Sequence, residues 1–295
     1  MATFVDTRIV TLTSQSATTK RNGTYLSDLF YSFGSIYLND PSIIHRQVQL
    51  LNAQIPYSFY VINYTNQIFK YKLGTGAITS KNIPVGNYTA NSLITALKTA
   101  INDVNMSITI SSINGQLTFE YNTSFIIYND FTYSIGSILG FAANSTNTGI
   151  LITAPYALNL LGIKTLHIRS GNLVMKNVSS VQGGQTILLA NIPVSAVPFG
   201  MIDYTDSGKN NISIDNQDLD DISLELLDGE SGAYINMNGQ DWCVTLAFHL
   251  TKVFTSPVGI LPLANKVNES TTKLPESKPE KKMTTDEQQL HFLEN

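Results

Sequence analysis

Four histidines, His45, His167, His249 and His291, are the side chains best suited to proton transfer or metal ligation near neutral pH. No two of them fall within ten residues of each other, so no helical pair exists to grip a metal. His167 and His249 sit in alternating strand patterns beside apolar neighbours, where a histidine on a polar strand face accounts for each better than a ligand does. There is no Gly-x-Ser-x-Gly elbow and no P-loop, and Gly183-Gly184 lacks the Lys-Ser/Thr that would complete a phosphate cradle. The lone cysteine, Cys243, excludes an intramolecular disulfide and a cysteine-based zinc site. Acidic residues cluster at Asp215, Asp218, Asp220 and Asp221, then at Asp228 and Glu230. The run from Asp215 lacks the sixth-position glycine of an EF-hand loop, and Leu226 stands where the bidentate Glu belongs. It reads as a solvated loop before a strand. The expectation is therefore no catalytic residue, no cofactor and no metal.

One aromatic stretch has binding character. Tyr57, Phe59, Tyr60 and Tyr64 are dense enough for a carbohydrate platform or a protein interface, where Tyr and Phe are favoured. No basic residue is interleaved with them, which argues against single-stranded nucleic acid.

The elements that must position these residues are mostly strands. Trp242, Val244, Leu246, Phe248 and Leu250 alternate with polar or small residues, and Ile222-Ser223-Leu224-Glu225-Leu226 repeats the pattern upstream. Asp228-Gly229 and Asn238-Gly239 punctuate the stretch between, which predicts a long-looped antiparallel hairpin. Further strands are expected at 4–12, 48–55, 67–73, 107–112, 116–121, 166–169, 185–192 and 201–204, with Ile113-Asn114-Gly115 as a hairpin turn. Many short strands bounded by Gly, Asn and Pro point to an all-β sandwich or barrel. One segment breaks the rule. Leu93, Leu97 and Ile101 recur at helical spacing behind Thr89, a good N-cap, and predict an amphipathic helix over about 90–102 inside a β-α-β-β unit.

Composition narrows the class. The chain has 295 residues, of which only 14% are charged, against about 25% in a typical soluble protein. Its 27 Asn, 27 Ser and 30 Thr make a polar but uncharged surface. A net charge of −4 gives no field for nucleic acid through the folded body, and no apolar run is long enough to span a membrane. The first residues carry no signal-peptide pattern. Charge is concentrated in Lys266–Asn295, with five Lys and six Asp or Glu, a composition that argues for a flexible tail. Its end, Thr284–Leu293, has an N-cap signature and helical apolar spacing.

Three stretches together carry a family resemblance: Ile83-Pro84-Val85-Gly86-Asn87-Tyr88-Thr89, Leu139-Gly140-Phe141, and the pair of strands containing Ile222–Leu226 and Asn238-Gly239-Gln240-Asp241-Trp242. The chain resembles the penton, or minor capsid, proteins of virophages, Polinton-like viruses and related large DNA viruses, over most of 46–252. The resemblance implies a single jelly roll built from residues 1–65 and 150–262 with an α+β insertion at 66–149; the charged tail, at 263–295, lies outside the motifs that carry it. The resemblance also implies a homopentamer at the vertices of an icosahedral shell, in contact with the major capsid protein. Such a protein is made in the host cytoplasm or virus factory and ends in the virion. It marks Asn238, Gly239, Asp241, Trp242, Thr89, Leu93 and Leu97 as structural positions and supplies no catalytic motif. A charge-poor polar surface suits dense assembly, because charge is costly to desolvate at contacts. The competing readings are a carbohydrate-binding jelly-roll module, a viral receptor-binding lectin using Tyr57, Tyr60 or Tyr64, and a jelly-roll enzyme, against which the scattered histidines weigh.

Overall fold

The structure is a computed structural model and describes residues 2–33, 40–171, 173, 177–179, 184–186, 188–208, 210–214 and 219–254. β1 (Ala2–Thr13) leads through a 3-10 turn (Ser14–Ser16) to β2 (Thr19–Lys20), β3 (Asp28–Ser32) and β4 (Ile43–Pro56). β5 (Ile68–Leu73) and β6 (Ile78–Asn82) precede the helix α1 (Ala90–Ile101), and β7 (Ser107–Ile110), β8 (Gln116–Asn129) and β9 (Ser145–Ala157) follow it. Next come β10 (Thr165–Arg169), β11 (Asn177–Ser179), β12 (Gly184–Thr186) and β13 (Leu188–Pro193). β14 (Met201–Thr205), β15 (Ile212–Ile214), β16 (Asp221–Asp228) and β17 (Cys243–Phe254) complete the set.

Two antiparallel sheets make the main body. One runs β1-β17-β4-β14, with β15 also on β4, and the other runs β13-β10-β16-β3-β2. Numbering only the eight principal strands β1, β3, β4, β10, β13, β14, β16 and β17 in chain order, the first sheet reads first–eighth–third–sixth. The second reads fifth–fourth–seventh–second. First therefore pairs with last, and second with next-to-last, as in the doubled Greek key of a jelly roll. The fold is an antiparallel β-sandwich of that type. Its core is drawn from the inward residues of both sheets, among them Leu29, Val48, Leu50, Ile55, Leu166, Ile168, Leu224, Leu226, Val244, Leu246, Phe248 and Leu250.

The expected hairpin between Ile222–Leu226 and Trp242–Thr251 does not form. β16 lies between β10 and β3, whereas β17 lies between β1 and β4 in the other sheet. Both are central strands, already paired on each side, so the 229–242 connection crosses from one sheet to the other. Asn238-Gly239 still turns the chain: both residues have positive φ, 49° and 76°, and Gln240 N–H donates to the Met237 carbonyl at 2.9 Å. That is a type I′ turn, placed within a crossover rather than at a hairpin tip.

Between the third and fourth sandwich strands the chain builds a separate sheet, β6-β5-β8-β7, with β9 also on β8. β9 extends this sheet to Ala157, so residues 150–157 pair with the insertion and not with the sandwich. α1 starts as the spacing implies. Thr89 Oγ1 accepts from Ser92 N–H at 3.2 Å and Ser92 Oγ accepts from Thr89 N–H at 2.9 Å, a reciprocal capping box. Asn102 ends the helix in the left-handed region at φ 53°. Leu93, Leu97 and Ile101 are buried against a separate apolar cluster that includes Phe69, Ile108, Leu117, Phe119, Ile127, Leu139 and Phe141. Gly140 is required there: its φ is +89°, and a Cβ would lie 2.1 Å from the Tyr156 carbonyl oxygen.

Candidate functional site

Trp242 joins the start of β17 to the opposite end of the chain. Its indole N–H donates to the Leu26 carbonyl at 2.6 Å, and its backbone N–H donates to Ser14 Oγ at 3.1 Å. Ser14 N–H returns a bond to the Trp242 carbonyl at 2.8 Å, and Ser14 Oγ–H donates to Asp241 at 2.6 Å. Ser14 and the Trp242 ring are both buried. The Asn238-Gly239-x-Asp241-Trp242 run is thus a latch that closes the crossover onto the 3-10 turn after β1. Asn238 also donates its amide to the Ser58 carbonyl.

The aromatic stretch divides. Tyr57 and Phe59 are core residues, stacked on each other at 4.4 Å between centroids, so they cannot form an open platform. The reason is position: β4 ends at Pro56, and the chain then runs from the sandwich core into the insertion core, where Ile62 is fully buried. Asn87 straps this passage, donating to the Phe59 carbonyl at 3.1 Å and accepting from Val61 N–H at 2.9 Å. The Gly86-Asn87 turn signal is therefore a tie between the two cores. Tyr60 is half-buried and Tyr64 is exposed, and both border a cleft of about 390 Å³ that Tyr25 and Tyr234 also line.

Two apolar patches stand on opposite edges of one sheet. Among the described residues, β1 is a twelve-residue edge strand paired only with β17. Val5 and Ile9 project from one of its faces and Phe4 from the other, with Ile9 65% exposed. A long apolar edge strand is a template for association, and natural proteins cover such edges. At the far edge, the loop before β14 and the first residue of β14 expose Val197, Phe199 and Met201, with Phe199 78% exposed. Phe199 has φ +68°, in the left-handed region that a bulky side chain rarely occupies. Two backbone bonds impose it: Phe199 N–H to the Tyr57 carbonyl at 3.0 Å, and Tyr57 N–H to the Gly200 carbonyl at 2.8 Å. The ring is held out into solvent by the end of β4. Neither patch was marked by composition, because edge position depends on strand order.

The outer face of the other sheet carries charge. Asp28, Glu225 and Arg169 are cross-strand neighbours on β3, β16 and β10, and Arg169 donates to Glu225. Tyr234 O–H also donates to Glu225, at 3.2 Å, and Arg21 lies 3.7 Å from Asp28. Burial raises the Asp28 carboxyl above its usual range, Glu225 adds to the rise, and Arg21 and Arg169 oppose it. Burial lowers His167. His249 meets Thr7 Oγ1 at 3.1 Å and Gln49 Oε1 at 3.4 Å, and His45 is exposed. Among the described residues no group of His, Cys, Asp and Glu is arranged to hold a metal ion. Asp215, Asp218, His291 and the tail at 263–295 lie outside the described residues.

No protein-family model matches the chain, and no curated protein matches it. The solved structures similar to it include two capsid proteins. One is the mavirus penton protein, at 9% identity and a TM-score of 0.45, covering 85% of this chain and 100% of that one. The other is VP17, a capsid protein of bacteriophage P23-77, at 9% identity and a TM-score of 0.18, covering 86% of this chain and 100% of that one.

Proposed function

We propose that this chain is a structural subunit of an icosahedral viral shell: a penton that forms a homopentamer at the five-fold vertices, contacts the major capsid protein and resides in the virion. The observation that carries the reading is the pair of unlike apolar patches, Phe4, Val5 and Ile9 against Val197, Phe199 and Met201, on opposite edges of one jelly-roll sheet. Unlike patches on opposite sides support a head-to-tail contact, and a head-to-tail contact that closes by rotation gives a ring. The number five and the shell context rest on the resemblance carried by 83–89, 139–141 and the Asn238–Trp242 latch. The role needs no catalytic group.

The test is native mass spectrometry of the intact chain and of two variants, Ile9→Asp and Phe199→Asp. The wild type is expected as a pentamer, alone or with the shell protein. Each variant is expected as a folded monomer with an unchanged far-UV circular dichroism spectrum, since both side chains are exposed. An equimolar mixture of the two variants is expected to give a heterodimer, because one intact patch of each kind remains. A wild type that stays monomeric at high concentration and beside the shell protein would refute the proposal. A mixture that stays monomeric would refute the head-to-tail contact.

A further inference from the structure

The cleft bordered by Tyr25, Tyr60, Tyr64 and Tyr234 contains none of the residues of the two apolar patches. Tyr64 is 71% exposed, Tyr25 43% and Tyr234 41%, and the cleft holds about 390 Å³ between the 60–66 loop and the 228–238 connection. Among the described residues, the hydroxyls of Tyr25, Tyr60 and Tyr64 have no hydrogen-bond partner, whereas that of Tyr234 is spent on Glu225 and fixes its ring. Asn236 uses its Oδ1 on Asn238 N–H and keeps its amide hydrogens unengaged.

Both walls are pre-formed. On one side Asn66 donates to the Val61 carbonyl at 2.9 Å and accepts from Asn63 N–H at 2.7 Å, and Ile62 and Gly86 exchange backbone bonds at 3.1 and 2.8 Å. On the other, Asp228 N–H donates to the Ala233 carbonyl at 2.8 Å and Ser231 donates to Asp228. A ligand would meet a surface that already has its shape, which reduces the ordering cost of binding.

The chemistry of the walls selects the ligand. Tyrosine offers a flat apolar face and a polar tip. A pyranose ring presents the complement: a face of C–H bonds and a rim of hydroxyls that both donate and accept. The free phenols and the Asn236 amide supply donors, and Asp228 and Glu230 supply carboxylate acceptors at the rim. Lys164 is the cation beside them, and it is paired with Glu230 at 2.9 Å. The cleft is therefore net acidic, and like-charge contact disfavours sialylated or sulfated sugars. We propose that this cleft binds neutral oligosaccharides. The inference does not rest on the ring, and a shell subunit would carry the cleft as a glycan-recognition surface.

The test is a glycan array probed with the intact, full-length protein, containing neutral hexose oligosaccharides and their sialylated and sulfated counterparts. The strongest neutral binder is then titrated calorimetrically against wild type, Tyr64→Ala and Glu230→Gln. Neutral glycans are expected to be retained. Tyr64→Ala is expected to lose about tenfold or more in affinity, as for a truncated aromatic anchor. The oligomeric state and melting temperature of both variants should match the wild type, which separates failure here from failure of the ring. Retention of no glycan, preference for the anionic counterparts, or affinity unchanged in both variants overturns the proposal. A protein partner captured through Tyr64 with no glycan retained also overturns it.

Discussion

The sandwich and the insertion are both antiparallel sheets around apolar cores, yet their pairings differ in kind. In the insertion most pairs join sequence neighbours, β5 with β6, β7 with β8 and β8 with β9, while β5 with β8 closes across the helix. In the sandwich, β1 pairs with β17, and β3 with β16, across nearly the whole chain. The first kind needs short loops and good turn residues. The second needs the entire chain to be present before its contacts stabilise anything, because long loops must close first. The sandwich accordingly carries a latch at its last crossover, Trp242 with Ser14 and Leu26, whereas the insertion relies on a capped helix.

That contrast can be broken at four points. The largest effect is expected for Trp242→Ala, which empties a buried site and orphans the Leu26 carbonyl and should cost about 3–5 kcal/mol in denaturant unfolding. A loss below about 1 kcal/mol would show that the latch is not a core element. Leu97→Ala empties the helix side of the insertion core and should cost about 2–5 kcal/mol. Its signature should be faster amide exchange in β5–β9, with the β16 and β17 amides still protected. Uniform acceleration would mean that the two cores unfold as one. Thr89→Ala removes one half of the capping box and should cost about 1 kcal/mol, and Thr89→Ser should restore most of it.

The smallest effect concerns pH. The native Asp28 carboxyl holds its proton more tightly than the unfolded one, because burial disfavours the anion. Between the two values the native state binds more protons, so stability falls as pH rises from the unfolded value, about 3.9, through the higher native one. Asp28→Asn removes that loss. Relative to wild type, the variant should therefore fare better at pH 7 than at pH 3. Equal differences at the two pH values would show that Asp28 does not contribute this slope.

Legibility followed the same divide. The helix over 90–102, its cap at Thr89 and the turn at Ile113-Asn114-Gly115 were readable because each depends on residues a few positions apart. Strands at 4–12, 48–55 and 201–204 were readable as short β-prone runs, but their partners were not. Ile222–Leu226 and Trp242–Thr251 resembled a hairpin because alternation and turn residues carry no information about which sheet a strand joins. β9, with Ile150 and Leu151 both exposed beside buried Ile152, lacks the alternation that marks a strand in sequence. Tyr57 and Phe59 had the composition of a binding platform. Only their place at the end of β4 made them core.

By itself the sequence determined the class: a charge-poor, strand-rich chain with a capped amphipathic helix over 90–102. Local interactions set these features, and local interactions are written in residue spacing. The tertiary structure decided which strand ends up at an edge, and so which apolar residues remain uncovered. Ile9 and Leu12 belong to one strand and are similar in kind, yet Ile9 faces solvent and Leu12 is buried. The difference is not in the residues but in what the rest of the chain, folded around them, leaves open.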